Sequence, residues 1–189
     1  MKRFLIVMLT CLALVGCGTN SNEFISSQSS DANEIMADIV NEAADNIEIK
    51  YNQGYSLDKQ YVEEFRKANN YSDMSNITDK YSKLWLEKVY EYSKSLSEDI
   101  KNIYEQNELA KDYIERHKLD INVINKSQEQ WEGYVEIQIE NYRQFAELRY
   151  CGGTATASAM AQYKYDLYRT RAIELYEDCI LWGTKVSPL

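Results

Sequence analysis

The sequence predicts an all-α protein with a long antiparallel helical hairpin, a C-terminal helix and short N-terminal helices. Beyond residue 31, apolar residues recur at intervals of three and four, which aligns them on one face of a helix. The only proline is Pro188, near the end of the 189 residues, so no proline would break these stretches. No alternation of apolar and polar residues is long enough to predict a strand.

The N-terminus has the pattern of a bacterial lipoprotein signal. A cationic Met1-Lys2-Arg3 head precedes an apolar run of about the 7–15 residues that a signal peptide needs. Leu14-Val15-Gly16-Cys17 then matches a lipobox. We expect cleavage before Cys17 and a lipid on that cysteine, which would bind the bilayer and hold the chain on the extracytoplasmic face of a cell membrane or outer membrane. An ordinary secretory signal or an uncleaved anchor is the alternative.

Composition and turn residues divide the chain into five segments. These are a signal peptide (1–16), a lipid anchor with a flexible tether (17–31), an N-terminal helical segment (32–78), a main helical domain (79–182) and a tail (183–189). The tether is polar and rich in Ser and Asn. The turn-forming residues of Asn69–Thr78 predict the break before the main domain.

Removal of the signal makes an acidic chain more acidic. Loss of Lys2 and Arg3 from 21 basic residues leaves 19 against 30 acidic ones, a net charge of −11. Such a chain is repelled by nucleic acid and by anionic lipid, and it attracts a soluble cationic partner. Acidity that only keeps an exported protein soluble is the alternative.

Two long stripes predict the hairpin. The first spans about Asp79 to Lys118, and the second starts near Asp120 and ends near Arg149. The apolar positions of the first are Tyr81, Leu84, Trp85, Val89, Tyr92, Leu96, Ile100, Ile103 and Tyr104. Those of the second are Ile121, Ile124, Gln128, Trp131, Val135, Gln138, Tyr142, Phe145 and Arg149. The regular steps of three and four in the second stripe are typical of coiled-coil packing.

A last helix is predicted from the turn at Cys151 to about Trp182. Its stripe is Met160, Tyr163, Leu167, Arg171, Leu175, Cys179 and Trp182. Because the stretch from Thr156 to Cys179 would span ~35 Å in a straight helix, we expect no disulfide between Cys151 and Cys179.

Three polar residues interrupt the stripes, and a glycine lies within one. Gln128, Gln138 and Arg171 stand where packing would favour Leu, so we expect them to bond one another or Glu136, Glu140 or Glu174 across the helix interface. A polar contact that only fixes helix register is the alternative. Gly133 costs about 1 kcal/mol inside a helix and predicts a close approach by another helix.

Several short motifs follow one another between Asp79 and Tyr176, over about half the chain. They are the Leu86–Tyr90 helix, Gln128 with Trp131 and Tyr134, the Gly152-Gly153 pair, and Arg171 with Leu175. Their order and spacing resemble the LprI-like lysozyme-inhibitor family of small exported bacterial proteins. The resemblance implies a helical domain that binds cationic, lysozyme-like muramidases.

The sequence predicts a binding protein and not an enzyme. The single histidine, His117, follows Arg116 near a helix end, and the chain contains no zinc-protease, Cys-x-x-Cys or Gly-x-Ser-x-Gly motif. We therefore expect no catalytic residue, no cofactor and no metal site. A Cys151 nucleophile beside Gly152, and a hydrolase with paired carboxylates, are the enzymatic alternatives. An accessory or structural envelope lipoprotein that binds another protein or peptidoglycan is the alternative binding role.

Overall fold

The computed structural model describes residues 25–51 and 54–189, with side chains from residue 32 onward. In the described residues the fold consists of six helices without a strand, which confirms the all-α prediction. The helices are α1 (Ile25–Lys50), α2 (Ser56–Phe65), α3 (Tyr71–Gln106), α4 (Glu108–His117), α5 (Val123–Tyr150) and α6 (Gly153–Trp182). The predicted signal peptide and Cys17 lie outside the described residues. Within those residues, each helix is too short or too polar to cross a membrane.

Helix α1 begins at Ile25, inside the segment predicted as a flexible tether. Residues from Met36 onward form one compact unit. In that unit, α1 buries Val40, Ala44 and Ile47, and Tyr51 follows on the same face. Ile39 and Ala43 of the same helix are only half-buried.

Helix α3 begins earlier than predicted, because the Asn69–Thr78 segment starts the helix instead of breaking the chain. The Asn70 side chain accepts a hydrogen bond from the Asp73 amide at 2.9 Å, and the Asp73 carboxylate accepts one from the Asn69 amide at 3.0 Å. These reciprocal bonds satisfy amides that have no partner within the helix. The turn-forming residues of this segment therefore act as an N-terminal cap.

The first predicted long helix is divided at Asn107. Its side chain accepts a hydrogen bond from the Ala110 amide at 3.1 Å and begins α4. Helix α4 buries none of its side chains fully. It contacts α3 through a hydrogen bond of 3.1 Å from the Tyr104 hydroxyl to Glu115. In the predicted stripe of α3, Leu84 is half-buried and the other positions through Leu96 are buried, beyond which exposure rises.

Helix α6 is the centre of the bundle. It makes its most extensive contact with α3 and a second contact with α5, whereas the direct contact between α3 and α5 is smaller. The two helices of the predicted hairpin therefore contact each other, but each makes a more extensive contact with α6. Because α6 packs on two sides, its buried residues do not follow the single predicted stripe. They are Ala161, Tyr165, Arg169, Ala172, Leu175 and Cys179.

The core is unusually rich in aromatic hydroxyl groups. Trp85, Tyr61, Tyr92 and Tyr165 are all buried, and each of the three tyrosines hydrogen-bonds through its hydroxyl. The Tyr61 and Tyr165 rings lie 4.6 Å apart between centroids. A tyrosine can occupy the interior of this bundle because its hydroxyl finds a partner there.

Candidate binding surface

The outer side of α5 exposes a row of large apolar side chains. Tyr134, Ile137, Phe145 and Leu148 have exposed fractions of 57%, 61%, 66% and 84%. At about 100° per residue they fall within an arc of about 80°, with Asn141 at its centre. We call these five residues the α5 face. Exposed apolar groups arranged in one row are typical of interaction sites, whereas single exposed ones are ordinary.

This face was missed from the sequence, because α5 carries two apolar stripes and only one was recognised. The predicted stripe is buried at Gln128 and Val135 and half-buried at Trp131, but Phe145 and Arg149 at its end are exposed. The spacing of Tyr134, Ile137, Phe145 and Leu148 was the available signal.

A row of glutamates lies beside the α5 face. Glu129, Glu136, Glu140 and Glu147 are exposed and fall within about 40° of one another around the helix. Arg143 is the cation among them and bonds Glu140 at 2.7 Å and Glu147 at 2.6 Å. We call the four glutamates the acidic row. Four carboxylates against one guanidinium leave the row negative.

The carboxylate at the middle of the acidic row stays ionised over a wide pH range. Hydrogen bonds from Arg143 and then from Gln144 lower the pKa of Glu140 to about 2. Glu140 therefore stays anionic well below neutral pH. The potential beside the α5 face is consequently negative, which favours a cationic partner.

The polar residues predicted within the stripes meet different partners. Gln128 donates to Glu132 at 3.2 Å, and Arg171 donates to Glu174 at 3.3 Å. Glu174 was among the predicted partners, but it lies on the same helix as Arg171 and not across the interface. Gln138 instead accepts a hydrogen bond from the Tyr163 hydroxyl at 3.3 Å. The described contacts join none of the three to another, because each finds a partner on its own helix or on the facing one.

The family-motif residues fall in three different places. Gln128, Trp131 and Arg171 lie where α5 packs on α6, and the Arg171 guanidinium stands 5.9 Å from the Trp131 ring. Leu175 is buried in the core. Tyr134 is the motif residue that belongs to the α5 face.

The glycine pair of the motif forms the turn between α5 and α6. Gly152 and Gly153 have φ angles of +83° and +74°, which side chains rarely tolerate. Cys151 caps α5 with a φ of +55°. The positive φ angles of this turn therefore explain why glycine occupies both positions.

The prediction of a helix packed closely on Gly133 is wrong for the described residues. Apart from its chain neighbours and the backbone of its own helix, a Cβ atom built at Gly133 meets no atom of the described residues within 4 Å. Gly133 lies next to Tyr134, between the α5 face and the acidic row. The glycine therefore leaves an open position at the border of the exposed surface.

Two residues missed from the sequence form an ion pair in the core. Arg169 donates to both carboxylate oxygens of Asp58, at 2.9 and 2.7 Å, and the Tyr165 hydroxyl donates to Asp58 at 2.6 Å. Asp58 precedes Tyr61, Val62 and Phe65 on the apolar face of α2, and this spacing was the signal. Because the charges are matched and bonded, the pair is a structural element of the interior.

The residues considered for catalysis do not assemble into a site in the described part of the chain. Cys151 is exposed at the α5–α6 turn, whereas His117 ends α4 and lies against Tyr113, with ring centroids 4.2 Å apart and the rings tilted by 39°. The described residues contain no group of three or more side chains suited to hold a metal ion.

No family model matches this chain, and comparisons with curated proteins and with solved structures find no match.

Proposed function

We propose that this protein is a membrane-anchored extracytoplasmic lipoprotein that binds a cationic protein, and that its partner is a lysozyme-like muramidase which it inhibits. The observation that carries the binding role is the α5 face, with four large apolar side chains each more than half exposed. The muramidase as partner rests on the motif resemblance, and the anchor rests on the Leu14–Cys17 pattern.

The apolar face and the acidic row supply different parts of the binding energy. Burial of apolar side chains contributes affinity at roughly 25 cal/mol per Å² of area removed from water, reduced by the costs of association. The acidic row contributes orientation and fast encounter with a positively charged protein. A cationic partner with an apolar patch would use both.

The net charge of the whole chain favours the same class of partner. The net charge of −11 that remains after loss of Lys2 and Arg3 attracts a basic protein at distances up to the Debye length, about 8 Å at physiological ionic strength. The association rate is therefore expected to fall as salt increases. An anchor at Cys17 would keep this negative surface near the membrane.

An accessory or structural envelope lipoprotein is the second candidate. The observation that favours it is the 36-residue α3, which at 1.5 Å per residue is ~54 Å long. A helix of this length can separate a membrane anchor from a protein or peptidoglycan contact.

A lysis assay tests the muramidase role. The full chain is added at micromolar concentration to cell walls with an animal-type or a bacterial muramidase, at low and at physiological salt. We expect slower lysis, with stronger inhibition at low salt. A matched variant with Glu129→Gln and Glu136→Gln, both exposed positions, should inhibit less at low salt while keeping its helical circular dichroism.

The same assay separates the two candidates. Absence of inhibition by either class of muramidase would reject the inhibitor role and favour the accessory role. Inhibition that does not change with salt would contradict the part assigned to the acidic row.

A further inference from the structure

We propose that the α5 face binds a basic amphipathic helix of the partner, side by side with α5 and with its closest approach at Gly133. The inference rests on the proposed binding function and specifies the structure and charge of the segment that is bound. It is drawn from the spacing of the exposed residues, from the open glycine and from the placement of the glutamates.

The α5 face has the spacing of a helix-pairing seam. Tyr134, Asn141 and Leu148 follow one another at intervals of seven, and Ile137 occupies the intermediate apolar position of a heptad. The seam extends over ~21 Å of continuous helix. A partner helix could therefore lie along it for about four turns. Asn141 and Gln144, the polar residues at seam positions, would fix the register of such a pair.

The open position at Gly133 would allow a partner helix to approach α5 closely. A glycine inside a helix costs about 1 kcal/mol relative to alanine, and the described residues offer no contact that would require it, because the space around it is open. In the heptad, Gly133 occupies the same flanking position as Glu140 and Glu147. The missing side chain would let a partner backbone approach α5 beside Tyr134.

The flanking glutamates define the charge of the bound helix. Glu140 and Glu147 share one cation, Arg143 of α5, so the two carboxylates keep a net negative charge, and they occupy flanking positions that form ion pairs across two paired helices. In an antiparallel pair of two copies, these positions would face each other, and the like charges would repel. A helix with Lys or Arg at the facing positions would instead pair with them. The charge pattern therefore favours a basic heterologous helix over a second copy of this chain.

The test uses the full chain and a designed peptide of about 21 residues, with Leu and Ile along one face and Lys at the flanks. The control peptide carries Glu in place of Lys. Two substitutions at Gly133 separate an effect on the approach of the partner helix from an effect on the stability of the fold. Both Gly133→Ala and Gly133→Leu should favour the helix, because each replaces glycine at an exposed position, but only Leu would obstruct the partner.

We expect the Lys peptide to bind the unchanged protein and the Gly133→Ala variant within about twofold of each other, and the Gly133→Leu variant about tenfold more weakly. Ile137→Ser with Leu148→Ser should weaken binding by at least about tenfold. Equal affinity for the Lys and Glu peptides, or unchanged affinity in Gly133→Leu, would overturn the inference. Dimerisation of the chain that Gly133→Leu abolishes would also overturn it, in favour of a second copy.

The lysis assay keeps this inference separate from the proposed function. If muramidase inhibition persists in the Gly133→Leu and Ile137→Ser/Leu148→Ser variants, the inhibitor role stands and the helix-binding surface is rejected. If the Lys peptide binds as expected but no muramidase is inhibited, the surface assignment stands and the partner is another basic protein.

Discussion

Arg169 and Asp58 form a two-point ion pair in the interior of the bundle, with exposed fractions of only 8% and 3%. The guanidinium binds both carboxylate oxygens, and its centre lies 4.7 Å from the Tyr51 ring. The pair joins α2 to α6 across 111 residues of sequence. Opposite charge, hydrogen bonds and an aromatic neighbour offset the loss of hydration that burial imposes on both groups.

Removal of one partner should be more harmful than removal of both. Asp58→Leu leaves Arg169 as a buried uncompensated charge and should lower the free energy of unfolding by about 3–5 kcal/mol. Asp58→Leu combined with Arg169→Met should cost less than Asp58→Leu alone, and therefore less than the sum of the two single changes. Urea unfolding followed by circular dichroism measures both. Additive effects would show that the two charges are not energetically coupled.

The two described cysteines should react very differently. Both are free thiols, Cys151 exposed and Cys179 buried, as expected from their separation along α6. Burial, followed by the negative charge of Asp178, raises the pKa of the Cys179 thiol to about 11. Because thiolate is the reactive form, a maleimide at neutral pH should label Cys151 rapidly and Cys179 only after unfolding.

Mass spectrometry of the unreduced protein provides the check on these thiols. One label per folded chain at Cys151 and a second in denaturant is the expected pattern for the described residues. A peptide that links Cys151 to Cys179 would instead require α6 to be broken.

Stability should fall steeply at alkaline pH. Burial first, and then a hydrogen bond to Glu64, raises the pKa of Tyr81 to about 12, and burial also raises the pKa of Tyr61 and Tyr165. In the unfolded chain these phenols lose protons near pH 10, whereas the folded chain retains them. The stabilisation is complete below pH 10 and is lost as pH rises through the folded values.

Phenolate absorbance and helical circular dichroism, recorded between about pH 9 and 12.5, test this dependence. We expect the exposed tyrosines to titrate first, and the buried ones to ionise together with the loss of helix. Ionisation of every tyrosine near pH 10 with the helices intact would contradict the assigned burial.

The predicted anchor can be tested directly in the cell. Cys17→Ser removes the acceptor thiol of the Leu14–Cys17 pattern, so incorporation of labelled fatty acid should be abolished and the precursor should accumulate. The unchanged chain and a Cys151→Ser variant serve as controls and should both be labelled. Continued labelling of Cys17→Ser would reject the lipoprotein assignment.

The sequence predicts where the helices lie along the chain better than it predicts which helices pack against one another. Periodicity locates the buried positions of α3 from Tyr81 to Leu96, because this helix has one buried face. It fails for α6, where Arg169 and Tyr165 are buried in place of the predicted Tyr163 and Leu167, since α6 packs against two helices. The number of sides on which a helix packs is a property of the tertiary arrangement.

The α5 face was not predicted from the sequence for a related reason. Tyr134 was recognised as a motif residue, but exposure of Phe145 depends on where α5 leaves α6, and periodicity does not contain that information. Gly133 was recognised as a position of close approach, and the described residues leave that position open. Asn70 was read as part of a break, although Asn-x-x-Asp is also the spacing of a helix cap.

Photo-crosslinking in the native cell envelope tests the binding role most directly. Phe145 on the α5 face is replaced by benzoylphenylalanine, and the exposed Lys94 of α3 is replaced in the same way as the matched control. We predict that position 145 forms an adduct with one protein of basic net charge and that position 94 does not. Identical adducts from both positions, or an acidic protein captured at position 145, would contradict a binding surface for a cationic partner on α5.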